Sequence, residues 1–65
     1  MDKQGPAEKV LSVMPQGTAI RLSEITALSG FSQNGVLRIL VAEESAGTVL
    51  RVQPDEEKEA FWMRI

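Results

Sequence analysis

The stretch Leu22–Ser23–Glu24–Ile25–Thr26–Ala27–Leu28–Ser29–Gly30–Phe31–Ser32–Gln33–Asn34–Gly35–Val36–Leu37–Arg38 reads as two helices joined by a tight glycine turn. Ser23 is a natural N-cap for a helix beginning at Glu24, whose charge suits the positive end of the helix dipole. Ile25 and Leu28 give that helix a narrow apolar face. Gly30 is placed to take the left-handed conformation that closes a helix C-terminus. Phe31 follows as an apolar plug, and Ser32 is again an N-cap. A longer helix then runs from Gln33 to Ala46, closed by Gly47, with Val36 in a buried position.

Working outward toward the N-terminus, Gly5–Pro6 opens another helix, because proline loses nothing at the first helical position. Ala7, Val10, Leu11 and Met14 then recur at i, i+3, i+4 and i+7 on one face. Pro15–Gln16–Gly17 ends this helix, which spans about 6–14. Thr18–Leu22 is short, alternating and partly β-branched, which suits a stub of strand over about 19–21.

Beyond Gly47 the period changes to two. Thr48, Leu50 and Val52 share one face of a strand over about 48–53, and Val49 and Arg51 share the other. Gln53–Glu59 is a polar turn. Phe61, Met63 and Ile65 share one face of a strand over about 60–65, with Trp62 and Arg64 on the opposite one. Two alternating runs around a polar loop read as a hairpin. The expected core faces are Leu50 and Val52 with Phe61, Met63 and Ile65. Residues 1–5 read as a flexible N-terminus and 6–65 as a single α+β domain with helices at 6–14, 24–29 and 33–46.

Composition limits what such a domain does. The 65 residues contain no cysteine, histidine or tyrosine, and 43% are hydrophobic and 25% charged. That balance is ordinary for a soluble globular domain. No disulfide staples the fold, and zinc would find only carboxylates. The residues that most often serve as general base or activated nucleophile are missing. The cluster Asp55–Glu59 lacks the spacing and glycine of a calcium loop. The expectation is therefore no enzyme, no cofactor and no metal. The longest apolar run, Ile39–Leu40–Val41–Ala42, is far short of the ~20 residues of a membrane span. Met1–Pro6 lacks the apolar core of a signal peptide, so no membrane partner and a cytoplasmic location are expected.

The net charge of −2 is unevenly placed. Lys3, Lys9 and Arg21 balance Asp2, Glu8 and Glu24; Arg38 and Arg51 balance Glu43 and Glu44. The excess resides after Gln53, where Lys58 and Arg64 meet Asp55, Glu56, Glu57 and Glu59.

The capped short helix, glycine turn, apolar residue after it and second capped helix over Leu22–Arg38, followed by Ala46–Gly47–Thr48–Val49 and a hairpin, resemble a winged helix-turn-helix domain of the bacterial or phage repressor type. The resemblance covers Pro6–Ile65. It implies that Gln33–Val41 lies in the recognition helix and Gln53–Glu59 in the wing, and that the recognition helix reads the major groove of double-stranded DNA. Ser32, Gln33 and Asn34 would sit at a helix N-terminus suited to phosphate. Gln33 and Asn34 carry amides that pair with adenine, and Arg38 a guanidinium that pairs with guanine. Leu37 lies on or beside the same face, and Arg51 and Arg64 flank Trp62 on the hairpin.

Two departures stand out. Gly35 occupies a position where the family often has Ser or Thr, and Glu43 one where it usually buries a leucine. The implied function is a DNA-binding transcription regulator, and tight binding from about five cations calls for a homodimer or a second domain. The alternative is a protein-interaction module, with Leu37, Val41 and Trp62 as its apolar contacts and Asp55, Glu56 and Glu57 as its acidic ones. Both pairs of readings stay open at this level: Leu37/Val41 as core or interface, and Trp62 as exposed anchor or core.

Overall fold

The computed structural model describes residues 5–53, 55–56 and 58–65. Residues 1–4, most of the expected flexible N-terminus, together with Pro54 and Glu57, lie outside the described residues. The chain is α+β: α1 (Pro6–Ser12), β1 (Ala19–Arg21), α2 (Leu22–Ser29), α3 (Gln33–Ala46), β2 (Val49–Val52) and β3 (Phe61–Arg64). The strands form one antiparallel sheet in the order β1-β3-β2. The short strand expected over about 19–21 is present with those bounds as β1, an edge of the sheet. It pairs Ala19 with Met63, Ile20 with Trp62 and Arg21 with Phe61, while β2 pairs Val49 with Arg64 and Leu50 with Met63 on the other side.

Each helix end has an identifiable cause. α1 starts with Pro6 at its first position, and the Glu8 carboxylate accepts from the Gly5 N–H at 3.0 Å. It stops at Ser12, two residues short of the 6–14 span, because Pro15 disfavours helical dihedrals at Met14. Gly30 and Gly47 take φ of 77° and 87° and close α2 and α3. The Gly47 and Thr48 N–H groups return to the last carbonyls of α3, Thr48 to Glu43 O at 3.0 Å. Glu43 is half-buried, and its Oε1 accepts from the Thr48 hydroxyl at 2.6 Å. A carboxylate at that position is therefore held by Thr48, in the turn that leads into β2.

Two sequence expectations are corrected. Helix α2 begins at Leu22 rather than Glu24, with Arg21 at the N-cap and Ser23 inside the first turn. The hairpin faces are also exchanged. Trp62 is 0% exposed and packs with Val49 and Ile20 in a core completed by Val10, Met14, Leu22, Ile25, Val36 and Leu40. Leu50, Val52, Phe61, Met63 and Ile65, expected inward, belong to the outer face.

The cause is the behaviour of the two arginines that share the Trp62 face. A long side chain buries its stem and keeps its guanidinium satisfied. Arg51 lays its guanidinium over the Trp62 ring, 5.7 Å from the centroid. Arg64 donates from Nη1 to Leu11 O at 3.2 Å, a second donor on a carbonyl at the end of α1 that also accepts from the Met14 N–H at 3.1 Å. With both cations accommodated, the largest side chain is free to fill the core.

Candidate nucleic-acid interface

Helix α3 is held by a small number of side chains and presents the rest. The Ser32 Oγ accepts from the Gly35 N–H at 3.1 Å, capping the first turn. Val36 and Leu40 are fully buried, and Ile39 packs partly against the core. Gln33, Asn34, Leu37, Arg38 and Val41 are exposed. Positions 34, 37, 38 and 41 follow i, i+3, i+4 and i+7, so they form one outward stripe. Leu37 is 38% and Val41 47% exposed, which places this pair on the surface rather than in the core. Ala42 and Ala46 are exposed as well.

The turn before α3 is rigidly built. Ser29 is buried, yet its hydroxyl donates to Thr26 O and accepts from the Phe31 N–H, both at 3.3 Å. Phe31 is half-buried, with the Lys9 ammonium 5.7 Å from its ring centroid. The start of α3 is thereby tied to both α1 and α2.

The remaining candidate residues are dispersed. Arg64 is half-buried and engaged with Leu11, on the inner side of the sheet. Arg51 is exposed but lies between the Trp62 ring and Glu44, its Nε 3.9 Å from Glu44 Oε2. Neither joins the α3 stripe. Trp62 is core, so it offers no anchor to a partner; its indole N–H is buried without a hydrogen-bond partner among the described residues. Asp55 and Glu56 are exposed on the β2–β3 loop, and Glu57 lies outside the described residues.

Two features escaped the sequence reading. Glu59, at the end of the acidic loop, accepts from the Ser23 N–H at 2.9 Å and from its hydroxyl at 3.3 Å. One carboxylate of the acidic run thus caps α2 across the fold. No local signal marks this pair, which is 36 residues apart in sequence. The second feature is the outer sheet face, where Leu50, Val52 and Ile65 are 47%, 39% and 56% exposed. Arg21 covers part of it, its guanidinium 5.2 Å from the Phe61 ring centroid.

Among the described residues no group of three His, Cys, Asp or Glu could hold a metal ion, and no pocket is present. No described helix is long and apolar enough to cross a membrane. No family model, no curated protein and no solved structure matches the chain.

Proposed function

We propose that the chain is a winged helix domain that binds double-stranded DNA as a small transcription regulator, with α3 in the major groove. The observation that carries this reading is the outward stripe of α3. Asn34, Leu37, Arg38 and Val41 are exposed together on a helix whose opposite side is locked by Val36 and Leu40. Such a helix holds its reading residues still, because the core and the Ser32 cap fix its position. Gln33 and Asn34 occupy its first turn, where the unpaired N–H groups of a helix start also suit a phosphate.

The charges support a modest, dimer-dependent affinity. Arg38 is the one formal charge on the stripe, and Arg51 and Arg64 are occupied elsewhere. Asp55 and Glu56 would repel a phosphate backbone, so the β2–β3 loop points away from the duplex in this reading. Two copies on one site supply what one chain lacks.

Titration of duplex DNA into labelled protein, followed by amide NMR, tests the proposal. Shifts confined to Ser32–Val41 and the flanking turn are expected, and Asn34→Ala and Arg38→Ala should abolish them without altering the fold. An unshifted spectrum at low salt refutes the reading.

Docking of a protein is a second reading, favoured by the exposed Leu50, Val52 and Ile65 on the outer sheet face. That surface belongs to a different layer from the α3 stripe. Leu50→Lys would then abolish association with the partner while the α3 shifts on DNA persist.

A further inference from the structure

Resting on the DNA-binding reading, we propose that the α3 stripe recognises an A·T-rich half-site, with Leu37 and Val41 seated against thymine methyl groups. The stripe is unusual for its lack of charge. Two exposed amides, Gln33 and Asn34, stand at its start, and two exposed aliphatic side chains, Leu37 and Val41, lie one and two turns further on. Arg38 is its single cation.

In the major groove each base pair offers a different edge. Adenine presents an acceptor and a donor that match a carboxamide, thymine presents a carbonyl and a methyl, and guanine presents two acceptors that match arginine. On a G·C edge an exposed leucine or valine meets two acceptors and an amino donor, and only the small cytosine C5–H in place of a methyl. A thymine methyl gives it an apolar contact that removes both surfaces from water. Amides and aliphatics on one stripe therefore match the two halves of an A·T pair, and Arg38 leaves room for a single G·C position.

The lengths agree. From Asn34 to Val41 the helix rises about 10 Å, which is about three base-pair steps of 3.4 Å. Asn34 and Val41 thus address base pairs about three steps apart within one half-site. Apolar contact also answers a difficulty of the charge distribution. A stripe with one cation gains little from phosphate, so discrimination must come from base edges.

The experiment is selection of bound duplexes from a random-sequence pool at low salt, followed by affinity measurement on the best duplex with thymine and with uracil in its place. Uracil keeps every hydrogen-bonding group and lacks only the methyl. An A·T-rich core is expected, with about fourfold weaker binding for each contacted methyl removed. Leu37→Ala combined with Val41→Ala should bind the thymine and uracil duplexes equally. Both positions are exposed, so the variant should keep the wild-type circular dichroism and melting curve. A selected core rich in G·C, or equal affinity of the wild-type protein for thymine and uracil duplexes, overturns the A·T assignment and leaves DNA binding standing. Failure to enrich or bind any duplex overturns both.

Discussion

The Glu59 carboxylate spans the fold to the first turn of α2, accepting from the Ser23 N–H at 2.9 Å and the Ser23 hydroxyl at 3.3 Å. A negative group at a helix N-terminus satisfies an orphan donor and meets the positive end of the dipole. Glu59→Ala should therefore cost about 1 kcal/mol in urea denaturation, although it reduces the net negative charge. Glu59→Gln keeps an acceptor and should cost less. Ser23→Ala removes the weaker bond only and should cost least. Equal stability of Glu59→Ala and wild type would show that the carboxylate is merely part of a solvated acidic loop.

Trp62 provides a direct measurement of which hairpin face is inward. It is the sole tryptophan of a chain without tyrosine, and it is fully buried. Its fluorescence should be blue-shifted and protected from acrylamide in the folded protein, and shift to the red on unfolding. Trp62→Ala should cost about 3–5 kcal/mol, enough to unfold a domain of this size. Emission at the wavelength of free tryptophan in the native protein would return Trp62 to the outer face.

Much of the local punctuation was legible in the residues. Pro6 opening a helix, Ser32 capping one, and Gly30 and Gly47 closing two are statements about dihedrals and orphan backbone groups, which neighbouring residues determine. What escaped was long-range. Counting apolar residues favours the Phe61–Met63–Ile65 face, yet the Trp62 face wins because Arg51 stacks on the indole and Arg64 caps α1. Neither accommodation is visible before α1 and the sheet are brought together. Ser23 looked like a cap from its neighbours alone, while its partner Glu59 stood across the fold. The exposure of Leu37 and Val41 was equally undecided until Val36 and Leu40 were seen to account for the buried side of α3.

Gly35 and Ser32 set opposing terms against each other. Alanine in place of glycine inside a helix gains about 1 kcal/mol. A Cβ at position 35, however, would lie 3.1 Å from the Ser32 Oγ, the atom that accepts from the Gly35 N–H. Gly35→Ala alone should therefore gain less than the full propensity term, because the cap must yield. In a Ser32→Ala background the crowding atom is gone, and the same change should deliver the whole of it. A double-mutant cycle by thermal unfolding reads the difference as a coupling energy. Strict additivity would mean that the cap hydroxyl moves aside without loss.

The salt dependence of DNA binding separates the cations that can reach a phosphate from those that cannot. Each neutralised phosphate contributes about −0.9 to the slope of log K against log salt. Counting every cation from Arg21 onward would predict five contacts per chain, at Arg21, Arg38, Arg51, Lys58 and Arg64. The geometry removes Arg64, which is half-buried on Leu11 O, and sets Arg51 beside Glu44. Arg21 lies over Phe61 on the outer sheet face, away from the α3 stripe. Lys58 stands on the β2–β3 loop, which points away from the duplex in this reading, whereas Lys9 lies beside Phe31 at the start of α3. Arg38 and Lys9 together allow a slope no steeper than about −2 per chain. Arg38→Ala should flatten it by about one contact, and Arg64→Gln should leave it unchanged while lowering the melting temperature through α1. A slope near −4.5 per chain would mean that all five cations reach the duplex, and that Arg64 and Arg51 exchange their protein partners for phosphate on binding.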